Sequence, residues 1–142
     1  MAYCTLEQLI DRYGNQFLVD ATDREGAATG EINLPTIDRA IADADALIDG
    51  YLAARYSLPI ATTPELVREL SLTISAYKAH SQVTSEKIRK DYEDAIKALL
   101  QISRGDIRLN IDGAEPSTAG ATLIKTNNPE RPMTAESMKG YI

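Results

Sequence analysis

Apolar residues recur along most of this chain at steps of three and four, then switch to a step of two after residue 105. Leu6, Leu9, Ile10 and Tyr13 form an i, i+3, i+4, i+7 stripe behind Thr5. Gln8 is placed for a capping box with Thr5, and Gly14 supplies a left-handed stop. A short apolar stub, Phe17 to Val19, follows, and Asp20 to Ile32 reads as a loop of Asp, Thr, Gly and Glu. The second helix is expected from Leu34 or Pro35 to about Arg55, with Asn33 as N-cap and Pro35 tolerated in the first turn. Ile37, Ile41, Ala44, Ile48 and Leu52 lie on one continuous face of this rod, which at about twenty residues spans roughly 30 Å. Gly50 interrupts it, as where another backbone comes close.

Pro59 holds Leu58 extended and closes that element. Thr63-Pro64-Glu65 then reads as cap, first-turn proline and first-turn acid of a third helix, with Leu66, Leu70, Ile74 and Tyr77 inward and an end near His80 or Ser81. A fourth helix starts after Thr84 or Ser85 and buries Ile88, Tyr92, Ala95, Ile96, Leu99 and Ile102 before Gly105 stops it. Lys87, Arg89, Lys90, Asp91, Glu93 and Asp94 take its solvated side. Ile107, Leu109 and Ile111 alternate with Arg108 and Asn110, the pattern of a short half-exposed strand. From 113 onward Gly, Pro, Ser, Thr and Asn dominate, too polar to build a core alone, so order there depends on a neighbouring subunit or partner. The fold class read from this pattern is mainly α: a bundle of about four helices with a short β-element over residues 1–112, and an extended C-terminal arm over 113–142.

Composition narrows the class. A chain of 142 residues is one small domain, able to bury roughly 68% of its unfolded surface. With no Trp and one Phe, packing falls to Leu, Ile, Ala and seven Tyr. The single Cys4 excludes an internal disulfide and a cysteine-based zinc site, and reads as a small buried thiol. No signal peptide is expected at the N-terminus, and no apolar stretch approaches the ~20 residues that span a bilayer. The formal charge of −6 sits wholly in the first sixty residues, the remainder carrying eleven acids and eleven bases, which argues against a DNA-gripping basic face. An acidic surface remains suited to letting DNA pass by.

Candidate chemistry is sparse. Asp45 and Asp49 share a helix face beside Asp43, but two acids on one helix make a weak metal site, and a solvated or interface face is expected. The Asp20–Glu25 segment lacks calcium-hand order. His80 is the lone histidine, and its helix-end position suits a bond to terminal carbonyls better than catalysis. Ser75, Ser81 and Ser85 sit in no nucleophile elbow, and no phosphate-binding glycine loop occurs. No enzyme activity, cofactor or metal is expected. The dispersed tyrosines read as core or interface residues with a polar tip.

The segment Ile41-Ala-Asp-Ala-Asp-Ala-Leu-Ile-Asp-Gly-Tyr-Leu-Ala-Ala-Arg-Tyr-Ser-Leu-Pro-Ile60, with Thr63-Pro-Glu-Leu66 and Ile74-Ser-Ala-Tyr77, resembles the Mu-like prophage family known by its thirty-sixth gene product. That family is related to the head-tail adaptor, or head-completion, proteins of long-tailed phages. The Thr5–Tyr13 helix, Leu18-Val-Asp-Ala-Thr-Asp23 and the closing Arg131-Pro-Met-Thr-Ala-Glu-Ser-Met-Lys-Gly-Tyr141 fit as well, so the likeness covers nearly the whole chain. It is weakest over Ala114 to Asn128.

The resemblance implies a helical virion protein at the head-tail interface, present in host cytoplasm during assembly. Such proteins form a ring, typically a dodecamer, beneath the portal protein, extend the DNA channel and present a platform to the stopper or tail-completion protein. DNA would pass through without sequence-specific binding, and no membrane is involved. The interaction residues expected on this reading are Arg55 and Tyr56 at the ring seam or helix end, with Arg131, Met138, Tyr141 and Ile142 fastening the arm. A small non-catalytic helical binding or regulatory protein acting as a low-order oligomer is the alternative.

Overall fold

The computed structural model describes residues 2–23, 30–80 and 84–111. Five helices follow one another there: α1 (Leu6–Tyr13), α2 (Asn15–Thr22), α3 (Leu34–Leu52), α4 (Glu65–Ala79) and α5 (Glu86–Arg104). Most boundaries are written in local chemistry. Thr5 and Gln8 form the reciprocal capping box of α1, and Asn33 and Ser85 accept from the Thr36 and Ile88 N–H groups to open α3 and α5. Gly105, at φ +87°, closes α5 in the left-handed region that favours glycine.

Four sequence expectations change. The Phe17–Val19 stub is the middle of α2, an extra helix; its eight residues bury Leu18, Val19, Ala21 and Thr22 against the bundle, which a loop reading of Asp20 onward hid. α3 ends at Leu52, and residues 53–55 form a turn. Pro64 itself occupies the N-cap of α4, so Thr63 makes no side-chain cap there. Residues 107–111 form no strand, and no strand occurs among the described residues. Their alternation is a packing pattern: Leu109 and Ile111 bury themselves on the helices while Arg108 and Asn110 stay exposed. Residues 113–142, the expected arm, lie outside the described residues.

α3 and α4 form the most extensive pair and run antiparallel. Ile37, Ala40 and Ile41 at the start of α3 share a core with Leu72 at the middle and Ala79 at the end of α4. Ala44, Ile48 and Leu52 share another with Val67, Leu70 and Ile74. α1 and α2 cap the first core with Leu9 and Leu18; α5 closes the second with Ala95, Leu99 and Ile102. α4 touches all four other helices, and Leu70 to Ala76 are buried without a break. It is therefore the central strut. Its sequence, more polar than a two-sided helix normally is, works because Ser71, Thr73 and Ser75 each find a partner.

Candidate functional site

Three places bring polar or half-exposed residues together, and all hang on α3. The first is the N-terminal latch. The Tyr3 N–H donates to the Asp45 carboxylate at 3.2 Å, the Ser71 hydroxyl donates to the same oxygen at 3.2 Å, and the Tyr3 hydroxyl donates to Asp49. Cys4 lies beside them, its Sγ 3.6 Å from the Ser75 hydroxyl. Asp45 is thus buried and satisfied, which corrects the expectation of a solvated or interface carboxylate; Asp43 is the exposed member and Asp49 lies between. The α3 face turns Asp45 towards α4 because it falls one residue after Ala44 and three before Ile48, both in the core.

Burial holds the Asp45 carboxyl above the usual carboxylate range, partly offset by the hydrogen bonds from Tyr3 and Ser71. Burial likewise raises the Cys4 thiol, and the Tyr3 phenol, which also donates to a carboxylate. A thiol raised and enclosed is a poor nucleophile. An open cleft of about 610 Å³ runs along this edge, lined by Ala2, Thr5, Asp38, Ala42, Asp45 and Asp49 among others. Among the described residues no group of three His, Cys, Asp or Glu side chains is placed to hold a metal ion.

The second place is a knot where α3, α5 and the segment after α5 meet. The Arg55 guanidinium lies over the Gly105 Cα and donates to the Arg104 carbonyl at 3.4 Å. The Tyr56 hydroxyl accepts from the Leu109 N–H at 2.9 Å. Tyr56 is 4% exposed and sits in the core, where it ties the turn after α3 to the segment after α5. Arg55 is half-buried and exposes part of its side chain at the same end. Arg131, Met138, Tyr141 and Ile142 lie outside the described residues.

The third is an apolar cleft of about 480 Å³ between α3 and α5, lined by Leu47, Tyr51, Tyr92 and Ile96, with Glu93 and Lys97 on its rim. Tyr92 stacks on Tyr77 of α4, ring centroids 4.0 Å apart and planes 11° from parallel, which fixes one wall. The four apolar residues are half-buried and pack on the second core from outside. The sequence pattern placed Tyr92 and Ile96 on a buried face and did not single out this cleft. Its signal was the pair of i, i+4 doublets, Leu47–Tyr51 and Tyr92–Ile96, one on each helix.

His80 ends α4, its Nδ1 2.7 Å from the Ala76 carbonyl and its ring edge-on to Phe17. That is the helix-end contact expected of it. Gly50 faces open space, so among the described residues no second backbone approaches it. No helix among the described residues is long and apolar enough to cross a membrane.

Comparison with known proteins adds the family. The profile described as Bacteriophage Mu, Gp36 matches residues 3–126. Gene product J of Escherichia phage Mu is 29% identical over 143 aligned positions, covering all of both chains. The Mu-like prophage FluMu protein gp36 of Haemophilus influenzae is 30% identical over 140 positions, covering 99% of this chain and 98% of its own.

Proposed function

This chain belongs to the bacteriophage Mu Gp36 family, and we propose that it is a non-catalytic head-tail adaptor: a ring-forming subunit seated beneath the portal of a tailed phage. The observation that carries this reading is the match to phage Mu gene product J along the full length of both sequences. The antiparallel α3–α4 pair, closed at one end by α1–α2 and at the other by α5, supports a rigid subunit body. The acidic first sixty residues suit a channel along which DNA slides without being held. In the ring, Arg55 contributes at the seam, and the segment carrying Arg131, Met138, Tyr141 and Ile142 fastens each subunit to the portal or its neighbour. The finished ring then receives the stopper or tail-completion protein.

The test is genetic and visual. A phage or prophage with this gene deleted is expected to yield heads and tails that fail to join, restored by supplying the chain in trans. Labelled protein is expected at the head-tail junction of the rescued particles in electron micrographs. Complete, infectious particles without the gene overturn the proposal, as does label confined to the tail tip or the head interior.

A further inference from the structure

One end of α3 carries an apolar knob, and the other helps to line an apolar hole. Leu34, the first residue of α3, is 53% exposed, the most open large hydrophobic side chain among the described residues. Asn33 caps the helix at this point and Pro35 fixes the backbone beyond it, so Leu34 is held ready and loses little freedom on contact. The hole is the open α3–α5 cleft of about 480 Å³, lined by Leu47, Tyr51, Tyr92 and Ile96. Leu100, 38% exposed, lies one turn beyond Ile96 and extends this apolar surface along α5. Apolar surface that continues over neighbouring turns marks a contact site in a way that scattered single residues do not.

A subunit cannot fill its own hole with this knob. Leu47 lies thirteen residues beyond Leu34, which on a helix is about 20 Å along the axis and about 140° round it. The two surfaces also differ in charge. Leu34 heads the flank of α3 that carries Asp38, exposed, and Asp49, half-buried. Lys90, Lys97 and Arg104 run down the exposed side of α5 at steps of seven, next to Leu100. Glu93 shares the rim with Lys97, but its pair with Arg89 and that of Lys97 with Asp94 are exposed and weak, so a partner can displace them.

We propose that Leu34 of one copy seats in the α3–α5 cleft of a second copy, with Asp38 of the first, one turn on, facing Lys97 of the second. The acidic flank of α3 and the basic line of α5 steer the approach. Knob and hole are different surfaces, so the contact is heterologous: each added copy leaves one knob and one hole open, and the chain of copies grows until it closes on itself. This deepens the ring reading above by naming a seam, and it rests on that reading for closure alone. The pairing itself is a property of the free chain.

Sedimentation equilibrium of the full-length protein at millimolar concentration tests the contact. The natural protein is expected to run above the 15.5 kDa of one chain. Leu34→Asp, at an exposed helix start that favours an acid, is expected to weaken association at least tenfold while circular dichroism stays native. Ile96→Asp is expected to do the same from the side of the hole, and Leu100→Asp, exposed on its lip, takes over should Ile96→Asp disturb the fold. Mixing is the decisive arm. The Leu34→Asp chain keeps its hole and the hole variant keeps its knob, so an equimolar mixture is expected to form a complex of two chains and no larger, although neither variant does so alone. A natural protein that stays monomeric at this concentration overturns the proposal, as does association that Leu34→Asp or both hole variants leave intact. Knob and hole variants that lose association and do not rescue each other overturn it too, because the contact would then join like surfaces. The deletion experiment on head-tail joining is independent of all these outcomes, so the adaptor reading and this contact can fail separately.

Discussion

Asp45 concentrates the chemistry of the N-terminal latch in one carboxyl group. Burial raises its pKa, so the folded state holds its proton more tightly than the unfolded chain does. Ionised Asp45 therefore lowers stability above its folded pKa, and that cost fades as pH falls through this value towards the ordinary ~3.9. Asp45→Asn keeps an oxygen for the Tyr3 N–H and the Ser71 hydroxyl while removing the charge. In urea unfolding the Asn variant is expected to be at least as stable as the natural protein at pH 7, with the difference shrinking as pH approaches 4. A variant clearly less stable at pH 7, with no approach between the two at acid pH, would contradict the assignment. Asp45→Ala differs in kind: it leaves two buried donors without their acceptor, at about 1–3 kcal/mol each. Cys4, 1% exposed and raised by its burial, reports the same latch. Its labelling by a thiol reagent is expected to be negligible in the native protein and to follow the unfolding rate under denaturant. Labelling at the rate of an open thiol would mean that the N-terminal segment leaves α3.

At the scale of elements, the ends of α5 show what the sequence made legible. Ser85 and Gly105 bound a strict apolar stripe, and the helix runs between them as read. α3, with Asn33 and its stripe, was nearly as plain, overrun only at Ala53–Arg55, where helix-forming residues continue but the chain must turn to bring Tyr56 and Ile60 into the core. α2 was hidden for the opposite reason. Eight residues with weak periodicity form a helix because Leu18 gains burial with Leu72 and Ala79 of α4, a tertiary gain with no local signature. Leu109 and Ile111 show the converse, a strand pattern with no strand to pair with among the described residues. The candidate sites were less legible still, because Tyr3 meets Asp49 across 46 residues and the cleft needs two helices to exist. Gly105 joins both levels. Alanine there is strained by the positive φ and drives its Cβ into the Arg55 guanidinium. Gly105→Ala is expected to cost about 1–2 kcal/mol, and a cycle with Arg55→Ala should recover only the steric part. Full additivity of the two substitutions would show that Arg55 does not pack on this cap.

For the molecule as a whole, the decisive feature is that α4 belongs to both cores. Leu72 and Ala79 complete the one closed by α1 and α2, whereas Val67, Leu70 and Ile74 complete the one closed by α5. Surface ion pairs do little to join them: Arg12–Glu69 links α1 to α4 at 3.3 Å, and the exposed pairs along α5 stay within that helix. Coupling therefore runs through the buried strut, and the two halves should unfold together. Ile74 is fully buried near the crossing, so Ile74→Ala is expected to cost about 2–5 kcal/mol by transfer and cavity terms. Set against the ~5–15 kcal/mol total stability of a domain, that loss should be felt everywhere at once. Hydrogen exchange gives the measurement. Amides around Leu18 in α2 and around Leu99 in α5 should lose protection by the same free energy in the Ile74→Ala protein, although only Leu99 shares a core with residue 74. Equal losses identify one cooperative body. Loss confined to the α5 side would instead divide the molecule into two bodies hinged along α4, with Ile74 reporting on only one of them.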